Sequence, residues 1–283
     1  MSTLTTYARA ALPLVPGASL LPFVAGRGKQ MPALERRRDG VTIDPAHLAD
    51  YARVCGFTLR DTLPATYLHM PAFPLHMQLM TDGKFPFPAV GLVHLSNRIT
   101  VHRPARVSEV FDIVVRTTPI EPHPKGRTFA LVSEARVDGE LVWEERSTML
   151  RRGGGSGEAA SGEDRGSPPL TDGQTRGAPV AWTLPGDLGR RYGSVSGDRN
   201  PIHIHALTAR AFGFKQAIAH GMWTKARAIA ALEPLPDAYT VDVEFKKPIF
   251  LPGRATFAAD DGRFVVRSAK NPDITHLEGT VTP

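Results

Sequence analysis

The stretch richest in possible chemistry runs from Tyr192 to Leu232, YGSVSGDRNPIHIHALTARAFGFKQAIAHGMWTKARAIAAL. Within it, Gly197-Asp198-Arg199-Asn200-Pro201 reads as a turn leading into a helix begun by proline. Asp198 and His203 stand on either side of that turn, which lets both side chains reach one point as a straight strand would not. A carboxylate and an imidazole converging on one water form a general acid–base pair. Spacing alone leaves other readings open. Asp198 can cap a helix beside an ordinary histidine, and His203 with His205 can form a His-x-His metal pair completed by Asp198. His220, just ahead of an apolar run, reads as support for the entry to a helix.

The elements that must position these residues come in two similar sets. Residues 151–179, RRGGGSGEAASGEDRGSPPLTDGQTRGAP, hold almost no large apolar side chains and are expected to form a flexible linker. They divide a front part, 1–150, from a back part, 180–283. DPAHLADYARVCGF (Asp44–Phe57) echoes LPGDLGRRYGSVSGD (Leu184–Asp198), with Tyr51, Val54 and Gly56 opposite Tyr192, Val195 and Gly197. FPLHM (Phe73–Met77) stands opposite AIAHGM (Ala217–Met222), and Pro104 opposite Pro248. Each part reads as a short amphipathic helix, a loop, a longer apolar helix and several alternating strands. Short turns such as VDGE (Val137–Glu140) join the strands, which favours antiparallel pairing and an α+β class.

Composition narrows the field. The 283 residues include one cysteine, Cys55, so neither an intrachain disulfide nor a cysteine-based zinc site within one chain is available. Charges sum to 34 − 28 = +6, which suits an anionic partner. No basic run with interleaved aromatics points to nucleic acid. Ala10–Ala25 is apolar, but Pro13, Pro16 and Pro22 interrupt it, and neither a signal peptide nor a membrane span is expected. The expectation is a cytoplasmic protein.

Ser196, Gly197, Asp198, Asn200, Pro201 and His203, followed by Ala219-His220-Gly221-Met222, closely resemble the hydratase-2 signature of the MaoC-like dehydratases. The whole chain resembles the actinobacterial double-hotdog (3R)-hydroxyacyl-thioester dehydratases, including their ALPLVPG-type entry (Ala11–Gly17). The resemblance implies an α+β double hotdog. Each repeat would be a curved antiparallel sheet wrapped on a central helix, at about Leu75–Thr81 and Ile218–Leu232. It also implies reversible hydration of trans-2-enoyl thioesters to (3R)-3-hydroxyacyl thioesters. Asp198 and His203 would hold the water, and Asn200 would fix the loop or bind at the dyad. Gly221 would offer its N–H to the thioester oxygen, with Ser196, Gly197 and His220 in support. No metal and no cofactor is implied beyond coenzyme A or acyl carrier protein as the carrier of the acyl group.

The front part departs from this signature. Gly56-Phe57 stands opposite Gly197-Asp198 and no Asn-Pro-x-His follows, so one active site per chain is expected. By the same resemblance the front part would accommodate the acyl chain, with MPAFPLHMQLM (Met70–Met80) available to line a tunnel. His69, His76, His94 and His102 have no carboxylate at the matching spacing and are expected to be structural. Arg190, Arg191, Lys246, Lys247 and Arg254 are candidates to meet carrier phosphate or an acidic carrier protein. A hotdog thioesterase and a non-catalytic acyl-binding subunit are the alternatives, and monomer and homodimer are both compatible.

Overall fold

The computed structural model describes residues 30–153 and 178–283. The ALPLVPG segment and most of the expected linker lie outside them, whereas Arg151 and Arg152 complete a strand. In chain order the elements are β1 (Glu35–Val41), α1 (Pro45–Cys55), α2 (His69–Met80), β2 (Leu92–Val101), β3 (Phe111–Thr117), β4 (Glu121–His123), β5 (Gly126–Val137) and β6 (Glu140–Arg152). Then come β7 (Val180–Leu184), α3 (Leu188–Ser196), the single turn α4 (Pro201–Ile204), α5 (Ala206–Ala211), α6 (Gly221–Leu232), β8 (Tyr239–Phe245), β9 (Gly253–Asp260), β10 (Arg263–Ser268) and β11 (Thr275–Thr282).

These elements form two compact units that do not simply follow chain order. The first gathers the described residues of Met1–Val41, His69–Asn97 and Val110–Asp164. Its strands run in the order β1-β3-β5-β6-β2, with β4 on β5. The β1–β3, β3–β5, β4–β5 and β5–β6 pairs are antiparallel. Helix α2 packs on β1 and β3, and its Leu75 and Leu79 join Phe85, Phe87, Phe111 and Phe129 in the core. The β5–β6 hairpin turns at Asp138-Gly139, both with positive φ (49° and 86°), as a two-residue type I′ turn requires.

The second unit takes Thr42–Leu68 and Arg98–Glu109 together with the back part of the chain. Its sheet has the order β8-β11-β10-β9-β7, antiparallel throughout. The C-terminal end of β2 meets β8 there: Arg98 Nε donates to Asp242 Oδ2 at 2.6 Å. Helix α6 is buried over most of its circumference (Met222, Trp223, Ala226, Ala228, Ile229), as a central helix must be. Helix α1 joins this unit because its buried face, Leu48, Tyr51, Ala52 and Cys55, packs towards α3 and α6. Trp223 Nε1 donates to the Val54 carbonyl at 2.9 Å, and the rings of Tyr51 and Tyr192 lie 6.4 Å apart. The residues paired by the internal echo thus occupy equivalent places. Helices α1 and α3 end at Gly56 and Gly197, with φ 84° and 74°.

Two helix starts differ from the sequence expectation. Helix α2 begins at His69, so FPLHM lies inside it rather than ahead of it. Pro74 lies inside it, where a proline costs one helical hydrogen bond, and the burial of Leu75 and Leu79 in the core offsets that loss. Helix α6 begins at Gly221 rather than Ile218, because Ile218 bridges Phe250 and the backbone at His220 is extended (ψ 137°).

Candidate active site

The signature residues lie together in the second unit. Pro201 opens α4, and Asn200 caps it by accepting the Ile202 N–H on Oδ1 at 3.4 Å. Asp198, in the preceding turn, accepts the Asn200 N–H on Oδ1 at 3.1 Å and donates its own N–H to Ser196 Oγ at 3.1 Å. Ser196 is buried, so its hydroxyl is a fixed post for the loop. The loop rests on α3 through two glycines. A Cβ at Gly189 would lie 1.8 Å from the His203 carbonyl oxygen, and one at Gly193 would lie 2.9 Å from that of Asp198.

His203 is half-buried, and its Nδ1–H donates to the Ile218 carbonyl at 2.8 Å. A carbonyl only accepts, so this bond fixes the proton on Nδ1 and leaves the Nε2 lone pair available. His220 is buried, and its Nε2–H donates to the Asp198 carbonyl at 3.0 Å. The two imidazoles stack with centroids 3.7 Å apart and planes 25° apart. A carboxylate oxygen of Asp198 and one ring nitrogen from each histidine all lie within 4.8 Å of one another.

Burial lowers the His203 pKa, with the Asp198 carboxylate opposing it. Burial and the neighbouring His203 push His220 down to about 3. Both rings are therefore neutral at pH 7, beside a carboxylate. Such a set can hold a water between an acceptor nitrogen and an acceptor carboxylate, and can move a proton either way.

Gly221 is the first residue of α6, where the leading N–H groups have no intrahelical acceptor and the helix dipole is positive. Its Cα faces the Phe245 ring so closely that a Cβ would lie 3.0 Å from two ring carbons.

Every signature residue predicted from sequence thus falls in or beside one loop. The structure places His220, rather than His205, with Asp198 and His203. His205 lies on a separate cavity next to α3. A second buried cluster in the first unit had no local sequence signal. His69 Nδ1 meets Glu145 at 2.9 Å, His76 Nε2 meets Ser133 Oγ at 2.7 Å, and Asn97 donates to Glu145 at 2.6 Å. His69 and Glu145 are 76 residues apart, so no spacing rule could have paired them. Asp198, His203 and His220 form one group able to hold a metal ion, and His69, His76 and Glu145 form another.

A model of the MaoC like domain matches residues 171–268, which contain this loop and α6. The chain is 35% identical to the Mycobacterium tuberculosis protein named 3-hydroxyacyl-thioester dehydratase X, over 93% of this chain and 89% of that relative. This chain belongs to the MaoC-like dehydratase family. The crystal structure of HtdX from Mycobacterium tuberculosis superposes with a TM-score of 0.75 at 32% identity, covering 88% of this chain and 99% of that one. A further Mycobacterium tuberculosis protein, described as having a double hotdog fold, matches with a TM-score of 0.51 at 15% identity, over 89% of this chain and 97% of its own. The MaoC-like chain is accordingly an α+β double hotdog. None of its described helices is long and apolar enough to cross a membrane.

Proposed function

We propose that this MaoC-like chain is an (R)-specific enoyl-thioester hydratase and (3R)-hydroxyacyl-thioester dehydratase, acting in cytoplasmic fatty-acid metabolism on acyl groups carried by coenzyme A or acyl carrier protein. The observation that carries this reading is the fixed tautomer of His203, which leaves Nε2 unprotonated on a ring that clusters with the Asp198 carboxylate. The names of the relatives, a 3-hydroxyacyl-thioester dehydratase and an enoyl-CoA hydratase, support it.

In the hydration direction, Asp198 and His203 Nε2 hold one water. The water oxygen bonds to the β-carbon as one of its protons passes to the dyad. Electron density moves through the α-carbon to the thioester oxygen, and the α-carbon then takes a proton on the same face. The Gly221 N–H at the head of α6 meets the developing enolate oxygen, and a donor placed this way is worth roughly 3–4 kcal/mol in the transition state. Asn200, Ser196, Gly197 and His220 hold the loop. The front part, with Phe57 where Asp198 would stand, accommodates the acyl chain.

The test uses crotonyl-CoA and a long-chain trans-2-enoyl-CoA, following loss of the enoyl absorbance and the chirality of the product. A (3R)-hydroxyacyl product is expected. Asp198→Asn and His203→Ala are each expected to lower turnover by about 10²- to 10⁴-fold with the fold intact by circular dichroism. Retained turnover in both variants rejects the mechanism. Release of free thiol instead of hydration identifies a thioesterase.

A further inference from the structure

The end of helix α3 is held from outside its own part of the chain. The last carbonyls of a helix have no intrahelical donor. Here that of Val195 accepts the His47 Nε2–H at 2.8 Å. A carbonyl only accepts, so the imidazole carries its proton on Nε2 and turns its Nδ1 lone pair to the Tyr67 hydroxyl, 2.8 Å away. Tyr67 is buried, with its ring edge-on to those of His47 and Tyr51. Burial pushes its hydroxyl up to about 12, so it remains an O–H donor at neutral pH. The chain of bonds thus runs from Tyr67 through His47 to the Val195 carbonyl. One peptide further on, Ser196 Oγ receives the Asp198 N–H, and Asp198 Oδ1 receives the Asn200 N–H.

The internal echo brings out what is particular to this place. Val54 stands opposite Val195, and its carbonyl likewise accepts a ring N–H, from Trp223. Each part therefore fastens the same carbonyl of its amphipathic helix with an aromatic donor from the other part. The fastened end of α1 runs into Gly56-Phe57, which carries no reacting group. That of α3 runs into Gly197-Asp198, the turn that carries the carboxylate. There the donor is an imidazole, whose second nitrogen a further residue can fix, whereas an indole has no second nitrogen.

We propose that His47 and Tyr67 are positioning residues for the reaction, setting the place of the Asp198 loop from the part of the chain that has no dyad, an inference that rests on the hydratase reading above. A misplacement of about 1 Å in a reacting group can cost about 10²-fold in rate. The loss should therefore fall on kcat, with KM held by contacts to the acyl carrier.

Steady-state kinetics on crotonyl-CoA and amide hydrogen exchange over residues 196–203, both on the full chain, test the assignment. His47→Leu removes both bonds, His47→Gln keeps an N–H of similar reach for the Val195 carbonyl, and Tyr67→Phe removes only the bracing hydroxyl. Tyr51→Phe, which loses a buried hydrogen bond from α1 to Thr66, controls for a general loosening of that helix. His47→Leu is expected to lower kcat by about tenfold or more, with KM within about twofold, and to speed exchange in the loop by about tenfold. His47→Gln should recover most of both losses, Tyr67→Phe should lie between, and Tyr51→Phe should keep wild-type values.

Wild-type kcat in His47→Leu overturns the proposal. An equal loss in His47→Gln or in Tyr51→Phe does so too, since the effect would then be one of packing, as does a fall in kcat with unchanged exchange over the loop. A wild type that hydrates no crotonyl-CoA rejects the reaction instead, and exchange then decides alone. Faster exchange in His47→Leu upholds the positioning of the loop, and unchanged exchange ends it.

Discussion

His203 has one nitrogen committed and one to spare, and its working protonation state follows from that. The Ile218 carbonyl holds the Nδ1 proton, while burial lowers the pKa of the ring. A base must be neutral to accept a proton, and a lowered pKa keeps it neutral to lower pH. The acid limb of kcat/KM for hydration is therefore expected to have its midpoint below 6.5, the ordinary value for histidine. A pH–rate profile on crotonyl thioester checks this, and a midpoint above 6.5 would contradict it. The clustering of Asp198, Asn200 and His203, the proposed dyad and its loop, was legible in sequence because they sit in one local turn. The stack of His220 on His203 was not, because it depends on where Ile218–His220 are laid down by Phe250 and Ile249.

At the scale of elements, the loop is held by close approach rather than by many bonds. Gly189 lies against the His203 carbonyl and Gly193 against that of Asp198, so α3 is the anvil on which the dyad is shaped. Gly189→Ala would put a methyl group into backbone that has nowhere to retreat except by moving His203. The expected result is a loss of about 1–3 kcal/mol of stability by urea denaturation. A fall in kcat of tenfold or more should accompany it, since small misplacements of reacting groups are costly. An alanine variant with wild-type kcat would show that the loop tolerates the shift. The internal echo and amphipathic periodicity made the α1 and α3 helices and their terminal glycines readable from the sequence. It misplaced the start of α2 because Pro74 reads as a boundary, and only the packing of Leu75 and Leu79 in the core overrides that signal. The charged run of β1, Glu35-Arg36-Arg37-Arg38, carries no strand periodicity. It becomes a strand through pairing with β3.

At the scale of the whole molecule, acid should be a specific weakness. His76 is pushed down to about 3 by burial, partly offset by Glu145, and His220 is also near 3. Burial raises the Glu145 pKa, but His69, His76 and Asn97 outweigh it and bring the group to about 2. In each case the unfolded chain binds protons more readily than the native one, so stability falls as pH falls. The two histidines contribute from about pH 6.5 downward, and Glu145 from about pH 4.5. Each group adds a slope of up to about 1.4 kcal/mol per pH unit across its window. Urea denaturation between pH 7 and pH 5 should show the decline, and His76→Gln should flatten it by about one proton. A pH-independent midpoint would refute the assignment.

Helix α1, encoded in the part of the chain without a dyad, completes the unit that has one: His47 bonds the Val195 carbonyl and Trp223 bonds that of Val54. The two repeats are thereby a single heritable unit. A gene shortened to its motif-bearing repeat would lose the helix that covers Tyr192 and Trp223.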